Sequence, residues 1–179
     1  RSHSIAVIVS DIANQFFSDI CRHIEQIAYK EGYTVIFASS EENPHKLSTL
    51  IDTMIGFNVQ GIIVAPCLEA NAALDRVSAI GVPTVLIDRD FPGDQFGRVL
   101  VDNVDAGYLA TKYLIHQGFG KIEMISYLNG VTSLVDREAG YQKAMEESGL
   151  LDDARLHRIE YEATTAKKDV IGIFRDAAK

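Results

Sequence analysis

Short runs of β-branched and aliphatic residues alternate with amphipathic segments of helical length, and this alternation is the strongest constraint on the fold. The runs cover residues 5–10, 34–38, 61–65, 84–87, 99–102, 121–126 and 157–161. The first three lack polar alternation, so we expect strands buried on both faces, as in a parallel sheet. The repeated strand–helix unit predicts an α/β fold with doubly wound parallel sheets and right-handed crossovers.

The segments between the runs have apolar residues at the spacing of three and four residues that is typical of amphipathic helices. In the first segment these residues are Phe17, Ile20, Cys21, Ile24, Ile27 and Ala28. In a later segment one side of the helix carries Ala106, Leu109, Ala110, Tyr113 and Leu114. Asn43 and Pro44 are typical of a helix start, and Gly32 and Gly81 are typical of helix ends.

The alternation of predicted strands and helices is interrupted after residue 87. The turn-rich stretch 88–97 is shorter than the dozen or more residues of a usual crossover connection, so we expect the chain to leave the first sheet there. We therefore predict a first α/β lobe over residues 1–102 and a second over residues 103–179. The second lobe has two clear strands, whereas sheets usually have about four to six, so we expect it to be incomplete in this chain. A compact three-layer domain with a small sheet is the alternative.

The amino-acid composition of the chain excludes several classes of protein and of partner. The chain has 179 residues, of which 47% are hydrophobic, so it can bury a real core and is not disordered. Its net charge is −8 and its 17 Lys and Arg residues are scattered, so we do not expect these residues to contact DNA phosphates. No apolar run approaches the roughly 20 residues that span a bilayer, which predicts no membrane partner. Cys21 and Cys67 form no C-x-x-C motif, and we interpret them as free thiols in the cytoplasm.

Ligands of open α/β sheets bind at the carboxyl ends of the strands, so residues that follow the runs are the first candidates for a site. Phe16 follows the first run beside Asn14, and it lies off the apolar stripe that contains Phe17. Its ring either stacks on a ligand or orients the helix start through a hydrophobic contact.

Two arginines follow later strands. Arg89 lies between Asp88 and Asp90, where it is either a structural ion-pair residue or a donor to an anionic or hydroxylated ligand. Arg137 lies near the start of a helix, where it either forms a surface salt bridge or helps to bind a polar group.

Enzyme signatures are weak. Gly118-Phe119-Gly120 precedes a strand and lacks a third glycine, so it does not match the dinucleotide fingerprint. The sequence has no Walker A loop, no H-E-x-x-H and no G-x-S-x-G motif, and its five histidines lack metal-ligand spacing. We therefore expect no enzyme activity, no catalytic residues, no metal and no cofactor.

Several segments resemble, in order, the effector-binding domain of lactose/galactose-repressor (LacI/GalR) type regulators. They are residues 5–17, 31–35, 58–66, 81–89, 101–103, 116–122 and 137–141. The stretch Arg1-Ser2-His3 is similar to the linker after that family's DNA-binding headpiece, and the headpiece itself is absent. The resemblance implies a fold like that of type I periplasmic sugar-binding proteins, with a sugar bound between two α/β lobes.

The resemblance also implies site residues. The positions that match ligand-contacting residues of the family are Asn14, Phe16, Phe17, Asp88, Arg89, Arg137 and, more loosely, Tyr161. Gln15 departs from the family pattern, which usually has Pro at that position.

We therefore expect the effector-binding and dimerisation domain of a cytoplasmic transcriptional regulator. It would bind a sugar or a sugar derivative, form a homodimer, and reach DNA only through a headpiece outside this chain. The alternative is a stand-alone periplasmic sugar-binding protein for uptake.

Overall fold

The computed structural model describes residues 3–128, 130–160 and 163–177. Its strands are β1 (Ser4–Val9), β2 (Thr34–Ser39), β3 (Ile62–Val64), β4 (Thr84–Ile87), β5 (Gly97–Val99), β6 (Glu123–Tyr127) and β7 (Arg155–Ile159). Its helices are α1 (Gln15–Lys30), α2 (Pro44–Gly56), α3 (Asn71–Ile80), α4 (Asn103–His116), α5 (Thr132–Glu147) and α6 (Ala163–Ala177), with a short 3₁₀ helix at Leu151–Asp153. The chain divides into two compact units, Arg1–Leu100 and Val101–Lys179.

The first unit is built on a five-stranded parallel sheet with the strand order β2-β1-β3-β4-β5. Side chains of β1 point alternately to the two faces, as the period of a strand requires. Ala6 and Ile8 pack in a core cluster that includes Leu47 of α2. Val7 and Val9 pack in a second cluster with Phe17 of α1. Helices therefore cover both faces of the sheet, and the predicted doubly wound α/β architecture is confirmed for this unit.

Strand β2 differs from the prediction that both of its faces are buried. Four of its residues are half-buried, and Thr34 and Phe37 are exposed. The reason is its position, because β2 is one of the two edge strands of the sheet whereas β1 lies inside it. The prediction holds for β1, where Ala6 to Val9 are fully buried.

Strand β5 corrects the prediction that the chain leaves the first sheet after residue 87. It pairs in parallel with β4, with Val85 opposite Gly97 and Ile87 opposite Val99. A crossover helix is unnecessary here, because the extended loop 88–96 reaches about 30 Å. A strand of four residues is about 13 Å long, so the reach of the loop is more than twice the length of the strand. The loop is fastened by Arg98, whose Nε donates to Asp90 Oδ1 over 2.6 Å.

In the second unit the described residues form a parallel sheet of two strands, β6 and β7. The hydroxyl of Tyr141 on α5 lies at the start of both strands. It donates to the carbonyl oxygen of Ile122 over 2.6 Å and accepts from the backbone N–H of Arg155 over 2.9 Å. Tyr141 packs with Ile122 and Met145 in the small core of this unit. That the second lobe is incomplete in this chain stays a prediction.

Helices α4 and α5 pack against each other through glycines. A Cβ atom added to Gly107 would collide with the carbonyl oxygen of Arg137, and one added to Gly140 would collide with the carbonyl oxygen of Val104. This close approach turns the Gly107 side of α4 inward, with Asn103 and Thr111 buried. The apolar side identified in the sequence is exposed instead, at Ala106, Leu109, Ala110, Tyr113 and Leu114. Backbone proximity therefore determines which side of α4 lies against α5.

Among the described residues, no helix combines the length and the apolar character that crossing a bilayer requires.

Candidate functional site

The carboxyl ends of β1, β2, β3 and β4 bring the candidate residues of the first unit to one edge of the sheet. After β1, the chain turns through Asp11, whose Oδ1 accepts from the backbone N–H of Ala13 over 2.8 Å. Asn14 then caps α1, because its Oδ1 accepts from the backbone N–H of Phe16 over 3.0 Å. The cap fixes where α1 begins and therefore where Phe16 is displayed.

Phe16 and Phe17 are adjacent in sequence but have opposite environments. Phe16 is 45% exposed, whereas Phe17 is 3% exposed and lies in the core beside Val7 and Val9. Their rings meet edge to face with centroids 5.1 Å apart. Phe17 therefore supports the ring of Phe16 from the core side. The exposure of Phe16 suits an aromatic platform for a ligand, and the ligand contacts of both residues stay predictions.

The guanidinium of Arg89 joins the ends of three strands. Its Nη1 and Nη2 donate to the two carboxylate oxygens of Glu42, over 2.7 and 2.6 Å. Nη1 also donates to the carbonyl oxygen of Pro66 over 3.2 Å, and Nε lies 3.3 Å from Asp88 Oδ2. Arg89 is buried, so this bidentate pair is shielded from water. The loops after β2, β3 and β4 are thereby fixed relative to one another.

Two residues of this ion-pair cluster have backbone conformations that are rare for residues with a side chain. The φ angles of Glu42 and Asp88 are +55° and +65°, both in the left-handed region. Such conformations persist where surrounding contacts enforce them, and they are frequent at functional sites. The ion pairs with Arg89 supply such contacts at both residues.

Glu42 belongs to the candidate site through its ion pair with Arg89, and sequence reasoning missed it. Asp88 and Arg89 are adjacent in the sequence, but Glu42, the bidentate partner of Arg89, lies 47 residues away along the chain. The available signal was the position of Glu42 just after the second strand, which placed it at the same edge as Arg89.

Two further ion pairs lie near this edge. In the first, Lys46 Nζ lies 2.7 Å from Glu41 Oε1. In the second, Arg98 Nε donates to Asp90 Oδ1 over 2.6 Å, and this hydrogen bond lowers the pKa of Asp90 below its ordinary value.

In the second unit, Arg137 is oriented by Asn103. The Nε of Arg137 donates to Asn103 Oδ1 over 2.8 Å, and Asn103 Nδ2 donates to the carbonyl oxygen of Val101 over 3.1 Å. Arg137 is half-buried and also lines an open groove of about 340 Å³ whose other walls are mostly apolar residues of α4 and β6. Tyr161, the remaining predicted contact, lies outside the described residues.

The described residues contain no group of three or more His, Cys, Asp and Glu side chains arranged to hold a metal ion. Cys21 and Cys67 are both buried free thiols. Burial raises the pKa of each thiol above its ordinary value. A buried thiol with a raised pKa is a poor nucleophile at neutral pH, so both cysteines act here as small core residues.

Sequence comparison identifies relatives. Residues 5–178 match the family described as "Periplasmic binding protein domain". The chain is 27% identical over 173 residues to the HTH-type transcriptional regulator DegA of Bacillus subtilis (strain 168), covering 94% of this chain and 51% of that protein. The chain spans about half the length of the curated relatives it matches. The predicted resemblance to LacI/GalR-type regulators is confirmed.

Solved structures share the fold. The Cra transcriptional dual regulator from Pseudomonas putida, in complex with fructose 1-phosphate, has a TM-score of 0.90 at 22% identity, covering 99% of this chain and 66% of that chain. A LacI family transcriptional regulator from Enterococcus faecium with bound ribose has a TM-score of 0.81 at 24% identity, covering 96% and 63%. These likenesses confirm the predicted fold class.

Proposed function

Because this chain belongs to the periplasmic binding protein domain family, we propose that it is the effector-binding domain of a transcriptional regulator that senses a sugar or a sugar derivative. The observation that carries the proposal is the edge of the first sheet, where the exposed ring of Phe16 follows a strand end beside a set of carboxylates. An aromatic face packs against the C–H face of a sugar ring, and carboxylates accept hydrogen bonds from its hydroxyls.

The names of the relatives support a regulator more than a transport protein. DegA is an HTH-type regulator, and the two solved structures are regulators bound to fructose 1-phosphate and to ribose. A stand-alone sugar-binding protein for uptake shares the fold but has no comparable support among these relatives.

The proposed contacts are Asn14, Phe16, Phe17, Asp88 and Arg89 in the first unit and Arg137 and Tyr161 in the second. The structure supports different roles for them. Phe16 offers an exposed ring, whereas Phe17 and Arg89 are buried and position their neighbours. Arg137 is half-buried, and its Nε donates to Asn103.

The proposed regulator works in the cytoplasm as a homodimer, and its DNA contacts come from a headpiece outside this chain. Two-fold symmetry matches the two half-sites of an operator. The exposed side chain of Phe57, at the end of α2, supports a contact between copies of the first unit. An effector then shifts DNA binding only to the extent that it binds one conformation more tightly than the other.

Calorimetric titration of the intact protein with a panel of pentoses, hexoses and disaccharides, and with their phosphates, tests the proposal. We expect at least one sugar to bind, and Phe16→Ala to weaken its binding about tenfold through lost stacking. Phe119→Ala removes an aromatic ring that is similarly exposed in the second unit, and it should leave the affinity unchanged. Absence of binding across the whole panel would contradict the proposed function.

A further inference from the structure

The cationic donors at the carboxyl edge of the first sheet are already engaged with carboxylates. Both terminal nitrogens of Arg89 donate to Glu42, and Nε faces Asp88. An arginine that recognises a phosphate uses the same two-pronged geometry that Glu42 occupies here. The two terminal nitrogens of Arg89 are therefore already engaged in the geometry that would bind the phosphate group of a ligand.

The other cationic side chains near this edge are also paired with carboxylates and so do not favour an anionic ligand. Lys46 pairs with Glu41, and Arg98 pairs with Asp90, so these two cations also face carboxylates. Carboxylates outnumber cations near the edge: Asp11, Glu41, Glu42, Asp88 and Asp90 lie there with Lys46, Arg89 and Arg98. Among these named groups of the first unit, the five carboxylates therefore exceed the three cations by two.

We propose that this edge selects an uncharged polyhydroxylated effector and discriminates against the same sugar carrying a phosphate, with Glu42 as the specificity-determining residue. The inference rests on the proposed function and specifies its ligand class. Carboxylates accept hydrogen bonds from hydroxyls without a net charge conflict. A phosphate ester carries nearly two negative charges at neutral pH, and like charges brought together at an interface oppose binding.

The fold by itself does not decide between these ligand classes. Its relatives include one regulator with a bound sugar phosphate and one with an unphosphorylated sugar. The choice therefore depends on side chains at the site. In this chain the carboxylate of Glu42, with a side chain that is only 17% exposed, neutralises the guanidinium at the centre of the edge.

The test compares matched pairs of ligands by calorimetric titration of the intact protein. The probes are ribose with ribose 5-phosphate, fructose with fructose 1-phosphate, and the remaining neutral sugars of the panel with their phosphates. We expect the tightest-binding neutral sugar to bind at least about tenfold more tightly than its phosphate. In Glu42→Gln this ratio of affinities should fall at least about threefold, because Arg89 keeps its positive charge while one of its two carboxylate partners is lost and only Asp88 remains.

Asp52→Asn is the matched control, because Asp52 forms an ion pair with Arg76 between α2 and α3, away from the strand ends. Asp52→Asn should leave the ratio of the affinities for the neutral sugar and its phosphate unchanged. If Glu42→Gln does not fold, as judged by circular dichroism, the ratio in the unsubstituted protein decides alone.

The outcomes separate the two proposals. A phosphate that binds as tightly as its neutral sugar, or more tightly through Arg137, would overturn the inference and leave the proposed function intact. If the ratio of the affinities for the neutral sugar and its phosphate is unchanged in folded Glu42→Gln, Glu42 does not determine the specificity, and the inference is also overturned. Absence of binding to every sugar and every phosphate would overturn the proposed function, and the inference with it.

Discussion

Arg89 and Glu42 form a bidentate ion pair, with nitrogen–oxygen distances of 2.7 and 2.6 Å, that connects the end of β4 to the end of β2. Both side chains are largely shielded from water, so their charges are stabilised by this contact, and that of Arg89 also by Asp88 and the carbonyl oxygen of Pro66. The pair therefore couples the stability of the first unit to the geometry of its candidate site.

Replacing Arg89 should destabilise the first unit. In Arg89→Ala the carboxylate of Glu42 loses its partner in a mostly buried position, and breaking such a pair costs about 3 kcal/mol of unfolding free energy. The double variant Arg89→Ala/Glu42→Ala should recover only part of this loss, because it removes the buried carboxylate of Glu42 while Asp88 still loses its contact with Arg89. Urea denaturation of all three variants measures the difference. Equal stability of the Arg89→Ala variant and the unsubstituted protein would show that the ion pair contributes nothing.

Gly140→Ala should destabilise the second unit. The new methyl group would meet the carbonyl oxygen of Val104, so α4 and α5 must separate. Overpacking of this kind costs about 1–3 kcal/mol. Gly120→Ala is the control, because a Cβ atom there meets no atom within 4 Å. Thermal unfolding followed by circular dichroism should show a lower Tm for Gly140→Ala alone; equal Tm values would contradict the tight crossing of the two helices.

Tyr141→Phe isolates the contribution of one hydroxyl. It leaves the backbone N–H of Arg155 and the carbonyl oxygen of Ile122 without this partner, at a cost of about 1–3 kcal/mol. Tyr108→Phe removes a hydroxyl that donates to Glu147 on the surface, where effects are usually within about 0.5 kcal/mol. Hydrogen exchange at β6 and β7 should accelerate in Tyr141→Phe and stay unchanged in Tyr108→Phe. The opposite order of effects would refute the structural role of Tyr141.

The pair of Asp90 and Arg98 predicts a dependence of stability on acid pH. The hydrogen bond from Arg98 lowers the pKa of Asp90 in the folded state, so the folded state favours the charged carboxylate. The resulting stabilisation is complete above the unfolded pKa of about 3.9 and is lost as the pH falls through the folded value. The stability difference between the unsubstituted protein and Asp90→Asn should therefore be constant above about pH 5 and shrink below about pH 4. Urea midpoints measured across this range test the prediction, which a constant difference would contradict.

Local sequence patterns determined much of this protein. The alternation of β-branched runs and amphipathic segments predicted the α/β fold, because strands and helices bury side chains with different periods. The position of Phe16 off the apolar stripe of its helix anticipated its exposure, since neighbouring residues on a helix face different directions. These features depend on residues that are close together along the chain.

Tertiary structure alone decided the features that depend on distance in space. The return of β5 to the first sheet depends on the path of loop 88–96, which turn composition does not specify. The side of α4 that meets α5 depends on the close approach of their backbones, so Gly107 rather than the apolar residues lies at this contact. The partner of Arg89 is set by the adjacency of strand ends that lie far apart in sequence. A local pattern records the preference of each segment for burial, but only the packed chain determines which segments meet.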